Sequence, residues 1–404
     1  MVRNVLVALL MGSALASPSL AAGGTPAAHS QQERNGRYYV PGIVLRDEAS
    51  SPTDERLAVF TPTTAPVRHK IDYEIWDYAL KNMMVAMGPS NRQGARRLDP
   101  ITGTRVLHGA QSRYRLEGSM VLFRFFNAEV IRSLTEYRQD LERVAETLDI
   151  SALPRNEQLA FWLNLHNVAL MEQIALEWPV RTPRDIKLGG ESLDEAKFIT
   201  LRGIPVSLRD IREEIVFRHW RDPKVIYGFW RGEIGKPHLQ SYAFTGANVA
   251  SLLDVAATDF INSLRGAQKI DSKLAVSELY AEVAPFYFPD FENDLRAHLA
   301  EYAEEPVVEL LARTDQTVAT IEEADIADLH GGARPPGYLF VSSQPGGTTD
   351  QLLCNSRWGQ AACDLLNARS LKLQRMQRRG QQTARVFFSN IDLPGDPPNK
   401  NAVK

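Results

Sequence analysis

Two places in this sequence carry side chains with the chemistry to act on, or to hold, another molecule. The first is Leu159 to Met171, LAFWLNLHNVALM, an apolar run interrupted only by Asn164, His166 and Asn167. An imidazole that titrates near neutrality can serve as a base or a metal ligand, so His166 is a candidate catalytic residue. The competing reading is a core histidine bonded to a carbonyl or an asparagine. Asn156 and Asn167 would lie about 20° apart around a helix and three turns apart along it, so they can hold different loops. With Trp162 and Asn164 they are read as structural.

The second place is Arg231 to His238, RGEIGKPH. Glycines at 232 and 235 would expose backbone N–H groups beside Arg231 and Lys236, which makes an anion-receptive loop and marks Arg231, Gly232, Gly235 and Lys236 as candidate ligand-binding residues. Glu233 is available for acid–base work with His166 or His238, and these three are the candidate catalytic groups. The bland alternative is an Arg231 to Glu233 ion pair that holds a surface turn. Zinc could accept His166, Glu233 and His238, but no close-spaced histidine pair supports such a site, so neither metal nor cofactor is expected.

The elements that must position these residues follow from periodicity. In LAFWLNLHNVALM the apolar residues surround the helix axis, which predicts a central helix enclosed by protein, starting behind Pro154 and ending before Pro179. Helical spacing is also read over 72–87, 125–148, Ser207 to Val216, from Thr245 or Gly246 to Phe260, and 294–302. Tyr114 to Leu122 reads as a hairpin, Arg202-Gly203 as a two-residue turn between Lys197–Leu201 and Ile204–Val206, and Lys224 to Trp230 as a strand. The expected class is helix-rich α+β: a central buried helix, short β-hairpins and a small mixed sheet, with N- and C-terminal additions.

Arg3, the apolar stretch Val5 to Leu15 and Ser19-Leu20-Ala21 have the form of a secretory signal, which predicts a signal peptide over 1–22 and a periplasmic or secreted protein. A flexible leader over 23–34, an N-terminal lobe over 35–118, a main domain over 119–302 and a C-terminal extension over 303–404 are expected after it. No later stretch is long and apolar enough to span a membrane. The net charge of −3 argues against nucleic acid as the main partner, which needs a concentrated basic surface. Cys354 and Cys363, the only cysteines, read as a disulfide in an oxidising compartment. The basic segment Arg369 to Arg385 could make peripheral contact with an anionic surface, although such a run is more often a solvated helix face.

Several of these motifs occur in an order that resembles a known family. Asn156, Ala160 to Asn164 and Asn167 are followed by Trp178-Pro179-Val180, Arg184-Asp185-Ile186, Lys197-Phe198, Ser207-Leu208, Asp210-Ile211 and Asp222-Pro223. Residues 119–302 thereby resemble domain-of-unknown-function family 547, found in bacterial envelope proteins and, behind a leucine zipper, in plant proteins. The resemblance implies a mixed α/β domain rich in helix and supplies no established reaction. Relatives commonly carry Asn-Cys-Ala-Ser and a second cysteine before proline, whereas Arg231 and Lys236 fall at those positions here. A guanidinium cannot replace a thiolate as nucleophile. The sequence therefore favours a non-catalytic domain that recognises an anionic or polar envelope ligand through loop 231–238, with a cysteine-independent hydrolase using Glu233 as the alternative.

Overall fold

The structure, a computed structural model, describes residues 54–63, 69–96, 109–334, 359–389 and 400–404 of the chain. The expected signal peptide and leader, and Cys354, lie outside these residues. Within them the protein is a helix-rich α+β fold with sheets of two and three strands. No described helix is long and apolar enough to cross a membrane.

Helix α1 (Glu74–Met83) buries Trp76, Ala79, Leu80 and Met83 along one side. Strand β1 (Met84–Gly88) follows directly and pairs antiparallel with β2 (Gly118–Val121). Two expectations change here: the helix read over 72–87 stops at Met83, and the hairpin read over 114–122 is replaced by a pairing with β1. Local pattern decides neither, because a strand is stabilised by whichever edge it meets.

Helix α2 (Ala128–Thr147) is capped by Asn127, whose side chain accepts from Val130 N at 2.9 Å. It packs along α3 (Arg155–Glu177) and is joined to it by a buried Arg138–Glu172 ion pair. Every residue of α3 from Glu157 to Ala175 is buried, so this helix has no solvent face. Elements wrap it from all sides.

Two hairpins follow, β3 (Lys187–Leu188) with β4 (Glu191–Ser192), and β5 (Ile199–Leu201) with β6 (Ile204–Val206). The second turns at Arg202 and Gly203, with φ of 51° and 73°, the left-handed pair that matches strand twist in a two-residue turn. Ser207 and Asp210 then cap each other: Asp210 N donates to Ser207 Oγ at 3.0 Å, and Ser207 N to Asp210 Oδ2 at 2.9 Å. The segment Asp210–Phe217 is π-helical. Pro223–Gly228 is a 3-10 helix, where a strand was expected. Pro223 at the first position and the Asp222 carboxylate accepting from Lys224 N start the helical turn, and they outweigh the β-branched composition.

Helix α4 (Val249–Ile261) lies against that turn. Strand β8 (Lys273–Ser277) then pairs antiparallel with β7 (Ala267–Ile270) and parallel with β9 (Thr317–Ile321), which makes the mixed sheet. Helices α5 (Glu278–Tyr287), α6 (Phe291–Tyr302) and α7 (Glu305–Ala312) connect β8 to β9, and α8 (Gln360–Arg378) packs near β1. Phe286, Tyr287 and Phe288 form the aromatic cluster read from the sequence, extended by Phe217, Tyr280 and His298.

After β9 the chain threads between the loop at 232–235 and β2. Ile234 N and Gly235 N donate to Asp325 O and Glu323 O at 2.8 and 3.0 Å, and Val121 N donates to Ala327 O at 2.8 Å. Asp328 is fully buried there, accepting from Gly332 N at 2.8 Å and, more loosely, from the Trp178 indole at 3.4 Å. Burial pushes its carboxyl up to about 6, and the surrounding donors only partly offset that.

Two predictions arise from these contacts. Asn167→Ala would leave Gly228 C=O and Trp230 N–H without their partner inside the core. Each loss costs about 1 to 3 kcal/mol, so urea unfolding should show a destabilisation of about 2 to 6 kcal/mol, and a change under about 1 kcal/mol would contradict the account. Asp328 is raised in the fold, so the native state keeps a proton that the unfolded chain has lost between about pH 4 and pH 6. Its contribution to stability is present below that window and falls by about 3 kcal/mol as pH rises through it. The stability of Asp328→Asn relative to wild type should therefore shift in the variant's favour by most of that amount, about 2 kcal/mol, between pH 4 and pH 7. A constant difference would refute the assignment.

Candidate functional site

The loop that carries Arg231 to His238 is an excursion whose two ends are tied to α3. Asn167 Nδ2 donates to Gly228 O at 2.9 Å and its Oδ1 accepts from Trp230 N at 3.0 Å. Asn164 Nδ2 donates to Phe244 O at 2.7 Å and its Oδ1 accepts from Phe244 N at 3.1 Å. Each amide satisfies one carbonyl and one N–H, as a neighbouring strand would. Asn156 binds Gly246 O and Asn401 O through Nδ2, at 3.3 and 2.9 Å, and accepts from Val403 N at 2.9 Å. Trp162 packs edge-on against Phe60 and Phe161.

His166 packs edge-on against Phe229 and meets a line of charges. Its Nε2 lies 3.1 Å from Arg212 Nη1, which can only donate, so Nε2 accepts and Nδ1–H donates to Asn167 Oδ1 at 3.1 Å. Burial, reinforced by the Arg212 guanidinium, holds His166 well below the usual histidine range, and it stays neutral. Both ring nitrogens are engaged. Arg212 makes a two-pronged pair with Asp194 at 2.7 Å on each oxygen. Asp194 Oδ2 lies 3.5 Å from Arg231, and Arg231 Nη1 lies 2.5 Å from Glu282, whose other oxygen is 3.3 Å from Lys236 Nζ. Burial alone would raise Asp194 and Glu282, but Arg212 and Arg231 beside Asp194, and Arg231 and Lys236 beside Glu282, outweigh it and hold both carboxyls well below their usual range.

The two cations of the loop are thus paired within the protein. The expected Arg231–Glu233 ion pair does not form: Glu233 is gripped instead by Arg184, through Nε at 2.8 Å and Nη2 at 2.7 Å. Neither His166 nor His238 is among the hydrogen-bond partners of Glu233 in the described residues. The glycines serve close approach rather than an open cradle. A Cβ on Gly235 would sit 2.6 Å from Glu323 O, and Gly232 has φ of 76° with Ile174 2.5 Å from where its Cβ would be. The N–H groups of Ile234 and Gly235 already donate to residues 325 and 323.

His238, at the far end of the loop, has a different setting. It lines a cleft of about 240 Å³ between β1–β2, α4 and the segment after α8. Its Nε2 accepts from Gln240 Nε2 at 3.3 Å, which puts the proton on Nδ1, and that N–H is buried without a partner. Burial and then Arg265 push its pKa down to about 3. Arg265, also buried, holds Ile234 O and Lys236 O at 3.2 and 3.1 Å, while its Nε is 3.7 Å from Glu117 Oε2. Neither of those last two atoms has a hydrogen-bond partner. Arg385 pairs with Asp259 and, at 2.6 Å, with Glu304.

The basic segment over 369–385 is partly turned inward. Lys372 is buried and donates to Gly88 O, Pro89 O and Leu116 O at 3.3, 2.9 and 2.7 Å, and Arg369 donates to Ala86 O at 2.6 Å. Arg375, Arg378 and Arg379 are exposed. Cys363 is buried on α8, and its expected partner Cys354 is outside the described residues. No group of three or more His, Cys, Asp or Glu among the described residues is arranged to hold a metal.

Sequence reasoning gave no site role to Asp194, Arg212, Glu282, Arg265 or Glu117, and named Arg184 only within a motif. Each belongs to a different element from the loop it serves, so spacing carries no signal for it. Helix α3, Arg184, Asp194, Arg212 and the loop itself lie in a stretch that comparison with known proteins also picks out, whereas Glu117, Arg265 and Glu282 lie outside it. No curated protein and no solved structure matches the chain. Residues 150–261, narrower than the 119–302 of the resemblance, match the family model described as "Protein of unknown function, DUF547", the family that the order of motifs resembles.

Proposed function

We propose that this protein is an exported, non-catalytic recognition protein of the cell envelope, which takes a small polar ligand in the cleft at the His238 end of the loop. One contrast carries the reading. In the loop, the side chains able to act as base or anion hook are bonded within the protein: Glu233 to Arg184, Arg231 and Lys236 to Glu282. At the cleft, by contrast, His238 keeps a buried Nδ1–H without a hydrogen-bond partner, and Arg265 Nε and Glu117 Oε2 face each other at 3.7 Å without closing to a hydrogen bond. Buried polar atoms of this kind cost free energy unless something satisfies them.

Loop 231–238 then acts as the frame of the site, with His238 as its contribution to the ligand. Export is supported by the signal-like pattern of Arg3, Val5 to Leu15 and Ser19-Leu20-Ala21. A disulfide between Cys354 and Cys363 belongs to the same picture. Peripheral contact with an anionic surface would rest on Arg375, Arg378 and Arg379, the exposed cations of α8 and its end. The hydrolytic alternative lacks support, because Glu233 has no free oxygen and no histidine partner among the described residues.

Val255 lines the cleft from α4, and a larger side chain there would fill it. Soluble envelope fragments should bind the intact protein, bind Val255→Trp at least about tenfold more weakly, a loss of about 1.4 kcal/mol, and bind Glu233→Gln as well as wild type. Product release that depends on Glu233, or binding that survives the filled cleft, would contradict the proposal.

A further inference from the structure

The first turn of α3 holds a segment of chain from outside the family match. Asn156 Nδ2 donates to Asn401 O at 2.9 Å, and its Oδ1 accepts from Val403 N at 2.9 Å. Asp222 N donates to Lys404 O at 3.0 Å. Asn156 and Asp222 fall within 150–261, the stretch that matches the family model, whereas 400–404 lies far beyond it. Receiver and occupant are thus separate parts of the chain.

The pattern is one of main-chain recognition. Asn167 takes the C=O of residue 228 and the N–H of residue 230, and Asn156 takes the C=O of residue 401 and the N–H of residue 403. An amide side chain can satisfy both groups of one segment at once. Asp222 adds a third point for a local reason. As N-cap of the 3-10 helix over 223–228 it spends its carboxylate on Lys224 N, and its own N–H has no helical use. These bonds engage backbone atoms of the occupant, which residues other than proline all supply. Selectivity falls to Val403, the one buried residue of 400–404.

The two asparagine clasps differ in what they would leave behind. Asn167 is enclosed in the core, so losing its partners strands polar groups away from water. Asn156 and Asp222 are half-buried, and water can take over their bonds when the segment leaves. Lys400 and Lys404 are exposed on either side of the buried valine. The segment is held as a short peptide ligand is held, by backbone bonds and one aliphatic anchor.

We infer that this face of the protein is a peptide-binding site, with residues 400–404 as its resident intramolecular ligand. The ligand class it takes from elsewhere is a short peptide with a small aliphatic residue at the place of Val403. Being tethered, the resident segment meets the site at a high effective concentration and keeps free peptides out until it is displaced. The site is separate from the cleft at His238, whose lining includes none of Asn156, Asp222 or Val403.

The test uses the full chain carrying Val403→Asp, which unseats the resident segment, and the probe acetyl-Asn401-Ala402-Val403-Lys404. Saturation-transfer NMR should show this probe binding the variant saturably, with Kd on the order of millimolar for so small a ligand. Binding should weaken at least about tenfold when aspartate replaces valine in the probe, when Asn156→Ala is added to the variant, or when wild type, its site filled, is used instead. A folded Val403→Asp chain that binds neither probe, or both equally, would overturn the inference. Trypsin supplies a second measurement on wild type. Excess probe should speed the release of fragment 401–404 by cleavage after Lys400 severalfold, the fragment being told from the probe by its missing acetyl group. Should Val403→Asp not fold, this measurement decides alone, and release unchanged by excess probe would overturn the inference.

Discussion

A helix without a solvent face is the constraint on which this fold depends. From Glu157 to Ala175 α3 is buried on every side, so a polar group it carries costs free energy unless protein satisfies it. Asn164 and Asn167 meet that requirement by bonding to the main chain of another segment, one carbonyl and one N–H apiece. These bonds place residues 228–230 and 244 against neighbouring turns of the helix. Everything between them, including the glycine loop and His238, inherits its position.

The same helix orders the charges. His166 accepts from Arg212, Arg212 grips Asp194, and from there the line continues through Arg231 and Glu282 to Lys236. Removing Asp194 would leave Arg212, and removing Glu282 would leave Lys236, buried without its carboxylate, which is costlier than never having buried the set. Such a line gives the loop a single conformation. Two carboxylates, Asp194 and Glu282, neutralise Arg231. Glu323 O and Asp325 O take the loop's N–H groups, so the segment after β9 completes what α3 begins.

The sequence shows the enclosed helix plainly, because apolar residues on all faces leave no other placement. The hairpin at 199–206 is equally readable from Arg202-Gly203 and its flanking runs. Asn156 and Asn167 announce by spacing that they reach different segments, but which segments is a matter of topology. Arg184 as the partner of Glu233, and Glu282 as the partner of both Arg231 and Lys236, are invisible to spacing because they come from other elements. The cleft is harder still, being assembled from β1, β2, α4 and residues beyond α8. Lys224 to Trp230 misleads for a local reason: the Asp222-Pro223 start signal prevails over β-branched composition.

The central claim is that loop 231–238 is a built part of the scaffold and that recognition happens at its His238 end. Amide hydrogen exchange on the full chain, with and without envelope fragments, tests it most directly. The account predicts that Ile234 and Gly235 are protected in the free protein and unchanged by ligand, while Gln240 to Tyr242 gain protection. Free exchange at Ile234 and Gly235 that slows only when ligand is added would contradict it.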